Sequence, residues 1–188
     1  WDDNGSRGND LNTKGMDFKG QIRQVPGGPQ PGINFIDITT LLKNPTAFRK
    51  VVDNIAGYFQ GRGITKVVSL ESRGFISGGA LAYQLKAGFV PIRKAGKLPA
   101  ATISMSYALE YGTDMIQIHQ DALKAEDVVL IHDDLLATGG TANAALQLVE
   151  KLHVRSVYFS FLCDLEFIKT PLKEKLAEYR PHILVKYE

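Results

Sequence analysis

The sequence predicts an α/β domain: a mostly parallel central sheet flanked by helices. Two observations carry this. Short apolar runs such as Val67-Val68-Ser69-Leu70 and Val128-Val129-Leu130-Ile131 read as strands buried on both faces. Segments of helical period lie between them, so strand and helix alternate along most of the chain, the pattern of a parallel sheet covered on both sides by right-handed crossovers.

The elements follow in order. Asn44 and Pro45 read as a helix cap and a first-turn proline. Phe48, Val51, Val52, Ile55 and Phe59 then recur at helical spacing as one stripe, and Gly61 and Gly63 stop the helix. Val67–Leu70 reads as a strand, Phe75–Leu85 as a small-residue helix able to pack closely on a sheet, and Phe89–Ile92 as another strand. Arg93–Thr113 is polar, with Gly and Pro near its start, and reads as a long connection of the kind usually tied to function. Met115–Ile118 is expected to be a strand returning from it. Val128–Ile131, a helix from Ala142 to Leu152, and Val157–Leu162 continue the alternation, and Ile183–Val185 is a final strand. Ligands of such sheets bind beyond the carboxyl ends of the strands. The loops 71–74, 93–113 and 133–141 are therefore expected to meet on one rim.

Residues 16–188 are expected to form a single domain. Residues 1–15 are rich in Asp, Asn and Gly without apolar period, and are expected to be a disordered tail, in part an expression remnant, with Met16 the native start.

A length of 188 residues, 44% hydrophobic and 22% charged, suits a globular chain that buries its own core. The formal net charge is +2, so the whole molecule offers no case for nucleic acid, and any anion site must be local. No apolar run reaches the ~20 residues that span a bilayer, and the polar N-terminus shows no secretory signal. Cys163 is the only cysteine. It sits among apolar neighbours as a buried thiol, and a reducing compartment, the cytoplasm, is expected. The phosphate-loop pattern G-x-x-x-x-G-K-[ST] is absent, and Gly74, Gly78 and Gly79 lack the dinucleotide spacing.

The most informative segment is Val129–Thr141. An apolar strand ends in Asp133-Asp134, an Ala137-Thr138-Gly139-Gly140-Thr141 turn follows, and a helix opens. Glycines let backbone amides close around an anion, and a helix N-terminus favours negative charge. Two carboxylates accept hydrogen bonds from hydroxyls. A phosphate beside a diol describes a ribose 5-phosphate. A bare glycine pair would read equally as a plain turn; the adjacent carboxylates favour the ligand reading.

Val129–Thr141 resembles the phosphoribosyl-diphosphate (PRPP) motif of the type I phosphoribosyltransferases. From about Ile22 to Glu188 the chain resembles the adenine phosphoribosyltransferases through Pro31–Thr39, Glu71–Phe75, Pro91–Pro99 and Tyr107–Gly112, in the family's order. The resemblance implies the type I phosphoribosyltransferase fold, with a small hood over the base formed by about 20–40 and 163–188, and a flexible lid. It implies transfer of phosphoribose from PRPP to adenine, giving AMP and pyrophosphate.

The roles implied are these. Ala137, Thr138, Gly139, Gly140 and Thr141 hold the 5-phosphate, and Asp133 and Asp134 the ribose hydroxyls. Ser72, Arg73, Arg93, Lys94 and Lys97 face the diphosphate, and a cis non-proline peptide is expected in the Glu71–Gly74 loop. Glu110 and Tyr111 form the lid tip, with Glu110 near the purine. Phe35 stacks on adenine, with the backbone of Asn34 and Ile36 at the base edge and Leu165 as the opposite wall. Mg²⁺ is the implied cofactor, held mainly by the substrate rather than by a protein cage, and a homodimer is expected. Two residues depart from the family: His132, where an apolar residue is usual, read here as a structural group; and Ile36, where a basic residue is frequent. A phosphoribosyltransferase for another base, and a non-catalytic PRPP- or nucleotide-binding regulator of the same fold, remain as alternatives.

Overall fold

The computed structural model describes residues 17–28, 31–109 and 111–188. The tail expected at 1–15, Met16 and Glu110, expected at the lid tip, lie outside the described residues. The chain divides into two compact units, Trp1–Asn54 and Ile55–Glu188, the division falling inside one helix.

In the first unit, strands β1 (Arg23–Val25) and β2 (Phe35–Asp37) pair antiparallel. Helix α1 (Thr39–Leu42) and then α2 (Pro45–Phe59) follow. Register sets Arg23 opposite Asp37, and the two form an ion pair at 2.5 Å. Asp37 also accepts from the hydroxyl and the amide of Thr39. The Thr39 hydroxyl and Arg23 together hold its pKa down at about 2. Asn44 caps α2 as the sequence predicts, its side-chain oxygen accepting from the amides of Thr46 at 3.1 Å and Ala47 at 3.2 Å. Val51, Val52, Ile55 and Phe59 are buried, joined by Ala47 and Ala56. Phe48, expected in the stripe, is half-buried: the buried row runs through 47, 51 and 55, one residue to its side.

The second unit holds a seven-stranded sheet. Its strands are β3 (Lys66–Leu70), β4 (Gly88–Lys94), β5 (Thr102–Ala108), β6 (Thr113–His119), β7 (Val128–Leu136), β8 (Ser156–Leu165) and β9 (His182–Tyr187), in the order β5-β6-β4-β3-β7-β8-β9. The five strands from β4 to β9 are parallel, and β6 and β5 join antiparallel at one edge. Helices α3 (Gly74–Leu85), α4 (Gly140–Lys151) and α5 (Pro171–Ala177) connect them. The sheet is thus mostly parallel and flanked by helices, as predicted.

Two readings change. The polar segment 93–113 is no simple connection, because it contains β5. Ile103, Met105 and Tyr107 alternate inward against the core while Ser104 and Ser106 separate them, a period of two masked by serine-rich composition. Strand β7 runs five residues past Ile131 to Leu136, so Asp133 and Asp134 stand inside a strand.

Val129 and Ile131 of β7, Phe159 and Phe161 of β8, and Leu146, Leu148 and Val149 of α4 pack into one core. Truncating either buried ring to alanine would cost about 3–5 kcal/mol. Helix α3 approaches β3 so closely that a Cβ at Gly78 would overlap the Ser69 hydroxyl, which explains its small residues. No helix among the described residues is long and apolar enough to cross a membrane.

Candidate active site

The turn between β7 and α4 is shaped by Gly139, whose φ of 88° is left-handed. A Cβ there would also meet the amide nitrogen of Lys173 at 3.2 Å, so both conformation and space demand glycine. The Thr138 hydroxyl accepts from the Gly140 amide at 3.3 Å, and the Asn143 amide donates to the Gly139 carbonyl at 2.9 Å. The amides of Thr141 and Ala142, in the first turn of α4, donate to no group among the described residues. These unpaired amides stand at the end of a twelve-residue helix where the backbone dipole carries partial positive charge.

Immediately upstream, the Asp134 amide donates to the Asp133 carboxylate at 2.8 Å. The Asp134 side chain is 7% exposed and pairs with Arg73, Nε to Oδ2, at 2.8 Å. A Cβ on Gly74 would stand 2.7 Å from the Asp133 Oδ1, so glycine at the start of α3 leaves that carboxylate its place. Burial first, and the neighbouring Asp134 charge second, push the Asp133 carboxyl well above the usual carboxylate range.

His132 is fully buried, with Nε2 2.7 Å from the Ser77 hydroxyl and Nδ1 3.3 Å from the Ser160 hydroxyl. Burial, then the charge of nearby His182, lower its pKa to about 3, so it is a neutral structural group that ties β7 to α3 and β8.

The peptide bond Glu71–Ser72 is cis, as expected for this loop. Glu71 gathers the basic residues: its carboxylate accepts from the Lys94 amide at 2.6 Å and from Lys97 Nζ at 3.2 Å, with Arg93 Nε at 3.5 Å. Burial is the largest single influence on Glu71 and pushes its pKa up, but the Lys94 amide, Lys97 and Arg93 outweigh it, and the net shift is downward. Lys94 Nζ is paired with Asp114 and donates to the Tyr107 hydroxyl at 3.1 Å.

These parts open on one cavity of about 270 Å³. Glu71 and Arg73 from one loop, Lys94 and Tyr107 from the 93–113 segment, and Asp133 through Gly139 with Thr141 line it, so the three loops meet on one rim as predicted. Ser72, Arg93, Lys97 and Gly140 are not among its lining, although Arg93 and Lys97 reach Glu71, which is. The organising roles of Glu71, Tyr107 and Asp114 escaped the sequence reading. An acid among bases shows as a partner only once strand register brings them together. Among the described residues no three His, Cys, Asp or Glu side chains group as a metal cage.

Asn34, Phe35, Ile36, Tyr111 and Leu165 are not among this cavity's lining residues. In the first unit Phe35 is 52% exposed, Ile36 is half-buried, and Asn34 donates to the Gln24 side chain at 3.3 Å. In the second unit Leu165 is buried at the end of β8, and Tyr111 is 86% exposed beside Gly112.

Residues 37–177 match the phosphoribosyl transferase domain family. The adenine phosphoribosyltransferase of Acaryochloris marina is 51% identical over 172 residues, covering 92% of this chain and 100% of the relative. The crystal structure of the Rhodothermus marinus adenine phosphoribosyltransferase superposes with a TM-score of 0.83 at 48% identity, covering 90% of this chain and 96% of that one. The Giardia lamblia enzyme, solved with 9-deazaadenine, gives a TM-score of 0.84 at 37% identity over 92% of this chain and 97% of that one. With this fold, this glycine turn and these carboxylates, the chain belongs to the adenine phosphoribosyltransferase family.

Proposed function

We propose that the cavity beside the β7–α4 turn transfers the 5-phosphoribosyl group of PRPP to adenine, giving AMP and pyrophosphate in purine salvage. One observation supports this above the others: unpaired helix amides, two adjacent carboxylates and two cations open on the same small space. Bond breaking at C1 of the ribose gives an oxocarbenium-like transition state, which needs positioning and electrostatics rather than covalent help.

The turn Ala137–Thr141 holds the 5-phosphate by its amides and the Thr138 and Thr141 hydroxyls. Asp133 and Asp134 take the ribose hydroxyls, with the Asp134 charge close to the sugar as positive charge develops. Ser72, Arg73, Arg93, Lys94 and Lys97 serve the diphosphate. Arg73 and Lys94, which line the cavity, are held ready by Asp134 and by Asp114 with Tyr107. Glu71 orients the other two cations. Mg²⁺ fits a site without a protein cage if the diphosphate and ribose hydroxyls hold it, where it would neutralise the leaving group.

Phe35 stacks on adenine, with the backbone of Asn34 and Ile36 at its edge; Leu165 is an apolar wall for the base. Both assignments are supported by the family resemblance. Glu110 and Tyr111, between β5 and β6, form the lid that excludes water from the reacting centre. A cytoplasmic homodimer is the form in which these roles are expected.

The test is an assay of the purified protein with PRPP and Mg²⁺ against adenine, hypoxanthine, guanine, xanthine and orotate. AMP is expected from adenine, with negligible product from the others; no AMP, or preference for another base, overturns the reading. Glu110→Gln is expected to slow turnover while PRPP binding stays nearly intact, and unchanged turnover removes its catalytic role.

A further inference from the structure

Three residues where β8 leads into α5 carry no role in the reaction as described: Asp164 at the end of the strand, and Thr170 and Lys173 at the start of the helix. Lys173 Nζ pairs with the Asp164 carboxylate at 2.5 Å and donates to the Leu165 carbonyl at 2.8 Å, and both side chains of the pair are largely buried. This ties the first turn of α5 to the end of β8. Thr170 caps the same turn, its hydroxyl oxygen accepting from the Lys173 amide at 3.1 Å. A hydroxyl also has one proton to give. Thr170 gives it to the carbonyl of Thr138, at 2.5 Å, across 32 residues of sequence.

Thr138 is the residue before Gly139, so that carbonyl belongs to the peptide whose N–H is the Gly139 amide. A trans peptide is planar, with its C=O and N–H pointing in opposite directions. Fixing the carbonyl on Thr170 therefore fixes the amide on the other side, away from α5. The backing is close: a Cβ on Gly139 would meet the Lys173 amide nitrogen at 3.2 Å and the Leu172 carbonyl carbon at 3.4 Å.

We propose that Thr170 is a positioning residue for the 5-phosphate: its bond to the Thr138 carbonyl aims the Gly139 amide at the anion, and the Lys173–Asp164 pair holds Thr170 in place. This rests on the reading of Ala137–Thr141 as the phosphate cradle. The hydroxyl touches no substrate; it acts through one peptide plane.

The experiment measures dissociation constants of ribose 5-phosphate and of pyrophosphate, by calorimetry, for the unaltered protein, Thr170→Val and Thr170→Ser. Valine keeps the shape and loses the proton; serine keeps both the cap and the donor. Thr170→Val is expected to weaken ribose 5-phosphate roughly three- to tenfold, the weight of one neutral hydrogen bond, leave pyrophosphate within about twofold, and be restored by serine. Equal weakening of both ligands, no weakening of ribose 5-phosphate, or failure of serine to restore it overturns the proposal. Ribose without phosphate serves as the control on the cradle itself: if the unaltered protein binds ribose 5-phosphate no better than ribose, the cradle reading falls and this inference with it. If the phosphate matters but Thr170→Val does not, only the inference falls.

Discussion

Arg73 Nε stands 2.8 Å from Asp134 Oδ2, so a cation proposed for the leaving diphosphate is held by a carboxylate proposed for the sugar. Arg73 immediately precedes α3 and Asp134 sits in β7, so the pair joins the start of the helix to the strand. A guanidinium presents five donors in a planar fork, more than its pairing with one carboxylate uses, and its side chain is 59% exposed.

Replacing Arg73 with glutamine removes that fork and leaves a buried carboxylate without its partner. The value of kcat/KM for PRPP is expected to fall about a hundredfold, the usual effect of deleting one preorganised donor to developing charge. Arg73→Lys restores charge but not the planar fork, and should recover only part of the loss. Steady-state kinetics with PRPP varied checks both, and an unchanged rate in Arg73→Gln removes the residue from the diphosphate site.

The two glycines of the turn should behave oppositely toward alanine. Gly139 has a left-handed φ and backbone atoms of Leu172 and Lys173 behind it, so Gly139→Ala is expected to destabilise by about 1–2 kcal/mol or more. Gly140 has a helical conformation, and its nearest neighbour to a new Cβ is the Thr138 hydroxyl at 3.6 Å. Gly140→Ala is expected to be neutral or slightly stabilising. Urea unfolding of both variants decides it; equal losses would mean that conformation at Gly139 is not what sets the turn.

Much of this was legible in the chain because one local pattern dictates each part. Val67–Leu70, Val128–Ile131 and Val157–Leu162 are continuous apolar runs, and a run that repels water on both faces has few places other than a central strand. The Asp133–Thr141 segment is legible for the same reason, as the chemistry, the turn and the helix start are contiguous. What escaped depends on partners far away in sequence. Strand β5 is visible only through Ile103, Met105 and Tyr107 meeting the core. The hub at Glu71 requires Lys94 and Lys97 to fold back upon it. Thr170 bonding to Thr138 has no local signature at all.

His132 should make the fold sensitive to acid. Its pKa is lowered to about 3 in the fold, from an ordinary value near 6.5. Between those values the unfolded chain takes up a proton that the native one refuses, so stability is fully present above pH 6.5 and is lost as pH falls toward 3. The slope from this residue is at most about 1.4 kcal/mol per pH unit. His182, whose pKa is also lowered by burial, contributes in the same direction. His132→Val is expected to be less stable at neutral pH by about 1–3 kcal/mol, because the Ser77 and Ser160 hydroxyls lose their partner. Its stability should nevertheless fall less steeply between pH 6 and pH 4, by about one proton's worth of slope. Urea midpoints across that range measure it, and parallel slopes in both proteins would mean that His132 is already solvated or charged.

Cys163 offers a probe of whether the sheet interior opens. The thiol is fully buried in β8, and burial, then the charge on Asp134, pushes its pKa up to about 12. Only the thiolate reacts, and at pH 8 that leaves about one thiol in ten thousand ionised even before access is considered. A disulfide reagent at pH 8 is therefore expected to leave the folded protein unmodified over hours, and to titrate one thiol at once in denaturant. Any slow reaction without denaturant should follow the global unfolding rate, since neighbouring strands β7 and β9 cover the residue from both sides. A rate near that of a free thiol would show that β8 is exposed and that the buried carboxylate beside it cannot have the environment described for Asp134.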